Sequence, residues 1–225
     1  MKRMFIAAVT TAALALFCTA ASAGTYVATT FGYGSGSAHM SGGAIPSKLD
    51  ASGIVASGEV GYVSNGSLYG VHVGALASFG DAAGLSGKTK TLECPAMYCG
   101  SDVFQVDDVS GGFVGTARGL VGTSLFGGKL FVAADGGAAY LQIADAQSYT
   151  DSPAWHYSAD KSGIGYVVGA RVLYNISSHW SAGVDYSHVS VDVGGAGYSG
   201  PGYHYYGGTA MSADLGSLVV AYNFN

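Results

Sequence analysis

A period-2 pattern in the last quarter of the chain limits its fold more than any other feature. From residue 164, Ile164, Tyr166, Val168, Ala170, Val172 and Tyr174 occupy alternate positions, with Gly165, Val167, Gly169, Arg171 and Leu173 between them. After Asn175–Ser178 the alternation resumes as Trp180, Ala182, Val184 and Tyr186 against Ser181, Gly183, Asp185 and Ser187. The chain ends with Leu218, Val220, Tyr222 and Phe224 on one face. Successive side chains of a strand point to opposite faces, so each segment has one apolar face and one small, polar or charged face. In a soluble sandwich the apolar face looks inward and its strand ends are polar. Aromatic residues at the ends of an apolar face instead suit a membrane interface.

The N-terminus sets the compartment. Lys2 and Arg3 precede an apolar run from Phe5 to Phe17, and Ala21-Ser22-Ala23 forms a cleavage site before Gly24. The apolar run is too short to span a bilayer as a helix. Cys18 is not a lipoprotein cysteine, because Phe17 is bulky where a small residue is required. Residues 1–23 therefore read as a signal peptide and 24–225 as one domain. Lys and Arg number 9 against 14 Asp and Glu, so there is no basic patch for nucleic acid. The chain is 49% hydrophobic and only 10% charged, with 37 Gly and 16 Tyr. Yet nothing after the leader approaches the roughly 20 unbroken apolar residues of a membrane helix. A closed barrel reconciles these facts, since closure lets strands satisfy every backbone hydrogen bond in lipid.

The rest of the sequence supplies the other strands, at about 26–33, 54–63, 68–79, 109–121 and 128–141. They are joined alternately by short turns and by long segments near 34–53, 80–108, 142–162 and 192–209. The fold class is all-β: an eight-stranded antiparallel transmembrane β-barrel with up-and-down connectivity. Such barrels put short turns in the periplasm and long loops outside the cell. Aromatics sort accordingly, with Tyr62, Tyr69, Tyr174, Trp180, Tyr222 and Phe224 at the periplasmic rim. Tyr33, Phe79, Tyr140, Tyr166 and Tyr186 lie toward the outside.

Alternation directs Glu59, His72, Arg118, Asp135, Arg171 and Asp185 inward. A barrel of this size is just filled by side chains, so these groups are expected to form a hydrogen-bonded plug. Arg171 and Asp185, on neighbouring strands and close to diagonal register, are the leading ion pair; a narrow pore is the alternative. Cys94 and Cys99 remain after cleavage as an even pair in an oxidising compartment, where a disulfide is expected. Neither a metal nor another cofactor is expected. The fourth long segment carries Tyr198, Tyr203, Tyr205 and Tyr206 among glycines, a composition suited to adaptable contacts. His188-Val189-Ser190 resembles the His-x-Ser pair of outer-membrane lipid A deacylases. It lacks the following Asn, and no Glu occurs after Glu93, so no catalytic activity is expected.

The run Gly165-x-x-x-Gly169-Ala170-Arg171-Val172-x-Tyr174, the segment Trp180–Ser187 and the terminal Val219-x-Ala221-Tyr222-Asn223-Phe224 resemble the small outer-membrane β-barrel superfamily. That group includes the OmpA transmembrane domain and opacity-type surface proteins. The resemblance implies a cell-surface protein of the outer membrane, in contact with outer-membrane lipid and lipopolysaccharide. It also implies an assembly machinery that reads the last strand, and an adhesion-type role toward an external ligand or host surface. A monomer is expected. The loop cations are few, namely Lys48, Lys88, Lys90 and Lys161, which argues against polyanion binding.

Overall fold

A computed structural model describes residues 24–40, 47–64, 70–82, 84–94, 97, 101–149, 156–194, 197–200, 203–206 and 208–224. The expected leader at 1–23, Cys99 and residues 65–69 lie outside the described residues. Eight strands close the ring: β1 (Thr25–Met40), β2 (Ser47–Val63), β3 (Val71–Asp81), β5 (Val103–Leu125), β6 (Leu130–Tyr149), β7 (His156–Asn175), β8 (Trp180–Val193) and β11 (Thr209–Phe224). Each pairs antiparallel with its sequence neighbour in the ring, and β1 pairs with both β2 and β11, which leaves no open edge. Thr25 lies opposite both Tyr62 and Phe224, so the two described chain ends share one rim.

Three further strands belong to the outer side. β4 (Ser86–Cys94) continues the line of β3 after an interruption at residues 82–85 and pairs with the first part of β5. β9 (Gly197–Gly200) and β10 (Tyr203–Tyr206) form a separate hairpin. The segments read from sequence as long loops are therefore largely strand: β1 and β2 stay paired as far as Met40 and Ser47, and β6 and β7 as far as Ser148 and His156. β5 departs from plain alternation. Its register with β6 shifts between Gly111 and Val114, a bulge that exchanges the inward parity. Below the bulge Arg118 and Leu120 are buried; above it Val103, Gln105, Asp107 and Val109 are.

The wall has two zones of opposite sense. In the periplasmic half, exposed apolar residues form a belt, among them Phe31, Tyr33, Ile164, Tyr166, Val168, Tyr174, Val184 and Leu218. On β7 the belt runs from Tyr174 to Ile164. Ten residue steps of about 3.3 Å, tilted by about 40°, cover about 25 Å, the height of a barrel's lipid-facing band. In the outer half the sense reverses. Leu49, Ala51, Leu85, Val109, Leu141, Ile143, Val189, Val191, Val193 and Met211 fill the interior, packed on one another. The outward positions there carry Ser35, Lys48, Asp50, Ser52, Lys88, Asp160 and Asp192. Strand β8 shows the switch within one segment. Outward it reads Trp180, Ala182, Val184, Tyr186, then His188, Ser190, Asp192; inward it reads Ser181, Gly183, Asp185, Ser187, then Val189, Val191, Val193.

Candidate functional site: the lumen and the outer wall

The lumen of the membrane half is crossed by one connected set of charged side chains. Arg171 is carried by β7 and Glu59 by β2, strands that stand four places apart in either direction round the ring. The Arg171 guanidinium spans the lumen and donates to both Glu59 carboxylate oxygens, from Nη1 at 2.6 Å and Nη2 at 2.9 Å. Tyr26, on β1, donates its hydroxyl to Glu59 Oε1 at 2.8 Å and accepts from Arg171 Nη1 at 3.1 Å. Asp185 takes a longer contact from Arg171 Nη2, 3.4 Å. Arg118 donates to Asp135 at 3.0 Å and approaches Asp185 to 3.6 Å, which ties the two guanidinium groups together. Thr116 links Arg118 to Ser78 on β3.

Arg171 and Asp185 are directly opposite in register, where the sequence suggested a near-diagonal placement. The tightest partner of Arg171 is Glu59, not Asp185. A bidentate pair gives the stronger, geometrically fixed contact, and burial makes each charge dependent on its partners. Arg171 and Glu59 are 1% and 4% exposed. His72 lies nearer the periplasmic mouth, with Nδ1 3.0 Å from the Ser64 carbonyl and its ring edge-on to Phe131. It lines a cavity of ≈ 410 Å³ together with Ser64, Ser124, Asn175, Ser181 and Asn223, and Arg171 borders the same space. Above the charged set, the apolar interior of the outer half fills the barrel. Sequence reasoning passed over Tyr26, although alternation with Val27 and Thr29 marks it as inward.

The outer wall carries a second polar arrangement, at the upper edge of the apolar belt. His188 on β8 lies opposite Asp214 on β11, and His188 Nδ1 is 2.9 Å from Asp214 Oδ1. Tyr186 donates its hydroxyl to the same oxygen at 2.7 Å. The Tyr166 ring lies beside the imidazole, centroids 6.2 Å apart. Ser190 follows on the same outward face, opposite Tyr166 on β7 and Ser212 on β11. Asp214 is the acid that sequence reasoning missed, because strand eight was read only from its apolar stretch near the terminus.

The outer rim holds the remaining sequence candidates. Cys94 ends β4, and the expected bridge to Cys99 falls outside the described residues. The backbone of β9 and β10 pairs Tyr198 with Tyr205 and Tyr206 with Gly197, while Tyr203 faces Gly200. The four loop cations are not equivalent. Lys48 is exposed, Lys88 reaches Asp108 at 3.7 Å, Lys90 sits 3.9 Å over the Phe104 ring, and Lys161 is buried. Lys161 is thus withdrawn from the surface, because its position has inward parity on β7.

No family model matches the chain, and no curated protein does. Among the solved structures similar to this chain are the following three. The attachment invasion locus protein Ail of Yersinia pestis, in complex with the heparin analogue sucrose octasulfate, is 11% identical over 87% of this chain and 99% of its own, with a TM-score of 0.40. Neisserial surface protein A is 12% identical over 89% and 97%, with a TM-score of 0.40. The outer membrane protease OmpT from Escherichia coli is 10% identical over 89% and 97%, with a TM-score of 0.48. Identities this low leave every residue role to the chain's own geometry. That geometry is a ring without edges, wrapped in an apolar belt bounded by aromatics and filled by charge at membrane depth. It can satisfy its backbone and its charges in lipid only in one way. The chain is a bacterial outer-membrane β-barrel of eight strands.

Proposed function

We propose that this barrel is a cell-surface protein that supports envelope integrity and meets external partners through its outer rim. The observation that carries the reading is the filled interior. A small barrel blocked by a charged set at membrane depth and by an apolar core above it is poorly suited to conduct solutes. What remains for specific recognition is the outer half, where paired strands rise above the belt. The β9–β10 hairpin, with Tyr198, Tyr203, Tyr205 and Tyr206, is the preferred contact surface, and a Cys94–Cys99 bridge would restrain the tip between β4 and β5. Residues 1–23 serve as the export leader, the terminal strand as the signal for outer-membrane assembly, and the barrel works as a monomer in contact with lipopolysaccharide. Single deletions of the four outer connections, each checked for heat-modifiable migration, test the proposal. Binding to host cells or matrix should fall on removal of the β9–β10 hairpin; binding that survives every deletion refutes the contact surface. Planar-bilayer recordings should show at most small, sporadic openings.

A further inference from the structure

We propose that the seam between β2 and β4 in the outer half takes up an extended acidic segment of a partner protein as an added strand. The eight-stranded ring has no edge at membrane depth, but β4 stands above it and is paired along one side only. Its ladder with β5 runs from Ser86 to Cys94, whereas its ladder with β2 is the single pair of Ser52 and Ser86. Above that pair β2 continues to Ser47 with β1 as its partner. Two edges therefore face each other, residues 47–51 of β2 and 87–94 of β4, and among the described residues no strand lies between them. The base of the seam is closed, since a Cβ on Gly87 would run into the Asp50 carbonyl. Every second residue of a strand directs its N–H and C=O to the same edge, so an open edge is a row of main-chain donors and acceptors without partners. An extended peptide satisfies such a row by adding a strand to the sheet.

The side chains select the occupant. Counting upward from Ser52 and Ser86, Asp50 stands level with Lys88 and Lys48 with Lys90, all on the outward face. Lys48, Lys88 and Lys90 are the exposed lysines of the described outer half, and all three flank this one seam. The outward carboxylates Asp160, Asp192 and Asp214 lie on β7, β8 and β11, away from it. Strand β5 holds the two β4 lysines loosely. Lys88 reaches Asp108 at 3.7 Å with side chains 66% and 47% exposed, and Lys90 lies 3.9 Å over the Phe104 ring. Exposed contacts of this kind are weak and leave each ammonium group open to a further carboxylate. A second copy of the chain is the wrong occupant. Two β4 edges laid antiparallel bring Lys88 and Lys90 of one copy beside those of the other, and like charges opposite one another destabilise a strand pair. Lysines on an edge guard it against such self-association, and the same lysines admit a strand whose outward residues are aspartate or glutamate. Leu92, 44% exposed at the upper end, offers that strand an apolar contact. This seam is separate from the β9–β10 hairpin, so its occupancy does not depend on contacts made there.

The probe is a fluorescent, capped nonapeptide of alternating threonine and glutamate, matched to the 9 residues of β4 and titrated into the full-length barrel in phospholipid nanodiscs. Fluorescence anisotropy should show saturable binding that the same peptide with lysine in place of glutamate lacks. Methylating the peptide's backbone nitrogens at every second residue, in either of the two parities, separates strand pairing from charge. At least one methylated form should bind at least about tenfold more weakly. Lys88→Glu combined with Lys90→Glu should also weaken binding at least about tenfold, with heat-modifiable migration intact. Lys129→Glu, exposed in the turn between β5 and β6, should leave it unchanged. Amide hydrogen exchange should slow in residues 87–94 when the peptide is bound. A variant lacking the β9–β10 hairpin should bind the peptide as the intact barrel does, so failure of host-cell binding in that variant and failure of this seam are read apart. Absence of saturable binding, equal binding of both methylated forms, or slowed exchange confined to other strands overturns the seam as a strand acceptor. So does a barrel that dimerises through β4 in native mass spectrometry, since the edge would then belong to a second copy.

Discussion

The two halves of this barrel solve opposite solvation problems with one set of strands. In the periplasmic half the wall meets lipid and the lumen holds charge; in the outer half the wall meets water and the lumen holds mostly valine, leucine and isoleucine, with Gln105, Asp107 and Lys161 buried among the polar exceptions. Each half is inside-out relative to the other. The lower half is apolar outside because lipid does not solvate polar groups, so its buried polar groups must pair with one another. The upper half follows the ordinary rule of a water-soluble barrel, in which burial of apolar surface drives association. One strand can serve both zones because the alternation never stops; only the residue types on the two parities change places. In β8 the exchange falls between Tyr186 and Val189.

If this contrast is correct, the largest effect should come from the lower lumen. Arg171→Ala would leave Glu59, Asp185 and the Tyr26 hydroxyl without the cation that joins them, and buried charge without its partner costs about 3–5 kcal/mol. Urea unfolding of the barrel in detergent should register that loss. Replacing both Arg171 and Glu59 by methionine should cost clearly less than Arg171→Ala, since no orphaned charge then remains at that pair. A double variant as unstable as the single one would show that the pair is not the centre of the network.

This half was legible in the sequence and the other was not, for reasons that lie in particular residues. Arg171 and Asp185 stand between outward apolar residues on strands whose alternation is plain, whereas Asp135 lies in the Ala- and Gly-rich run 133–139, which hardly alternates. The Arg171–Glu59 pair was hidden, because alternation assigns a face and neighbouring strands suggest a register, but neither says who meets across the lumen. The outer half was read as loop because its outward residues are Ser, Asp, Lys and Gly, so a search for apolar-outward strands loses them. Val189, Val191 and Val193 continue the alternation on the other parity. Gly112 and Phe113 sit in the register shift between Gly111 and Val114, where the parity of β5 changes. Asp214 was lost in the same way: it falls on the polar side of the switch in β11, two positions beyond Gly216.

A charge placed on the wall tests where the switch falls. Leu218 and Ala210 both point outward on β11, the first within the belt and the second above it. Leu218→Arg should destabilise the barrel by about 2–4 kcal/mol, the cost of a cation deep in lipid. Ala210→Arg should change stability by no more than about 0.5 kcal/mol, as for an ordinary surface site. The comparison needs refolding into lipid vesicles with equilibrium urea titration of both variants. Equal costs at the two positions would mean that lipid reaches the outer half.

The smallest effect is the most discriminating, because it asks whether the two halves fold as one unit. Val191 is 1% exposed within the apolar interior of the outer half. Val191→Ala removes buried methyl groups and leaves a small cavity, a loss of about 1–2 kcal/mol. The charged set below includes no residue of that cluster, so the loss should be felt locally. Amide hydrogen exchange should accelerate in the outer parts of β2, β6, β8 and β11, while the segments around Glu59, Asp135 and Arg171 keep their protection. The reverse experiment, exchange in Arg171→Ala, should loosen the lower segments first. Uniform acceleration along every strand in both variants would make the barrel a single cooperative unit, and the division into two solvation zones would then describe its surface chemistry alone.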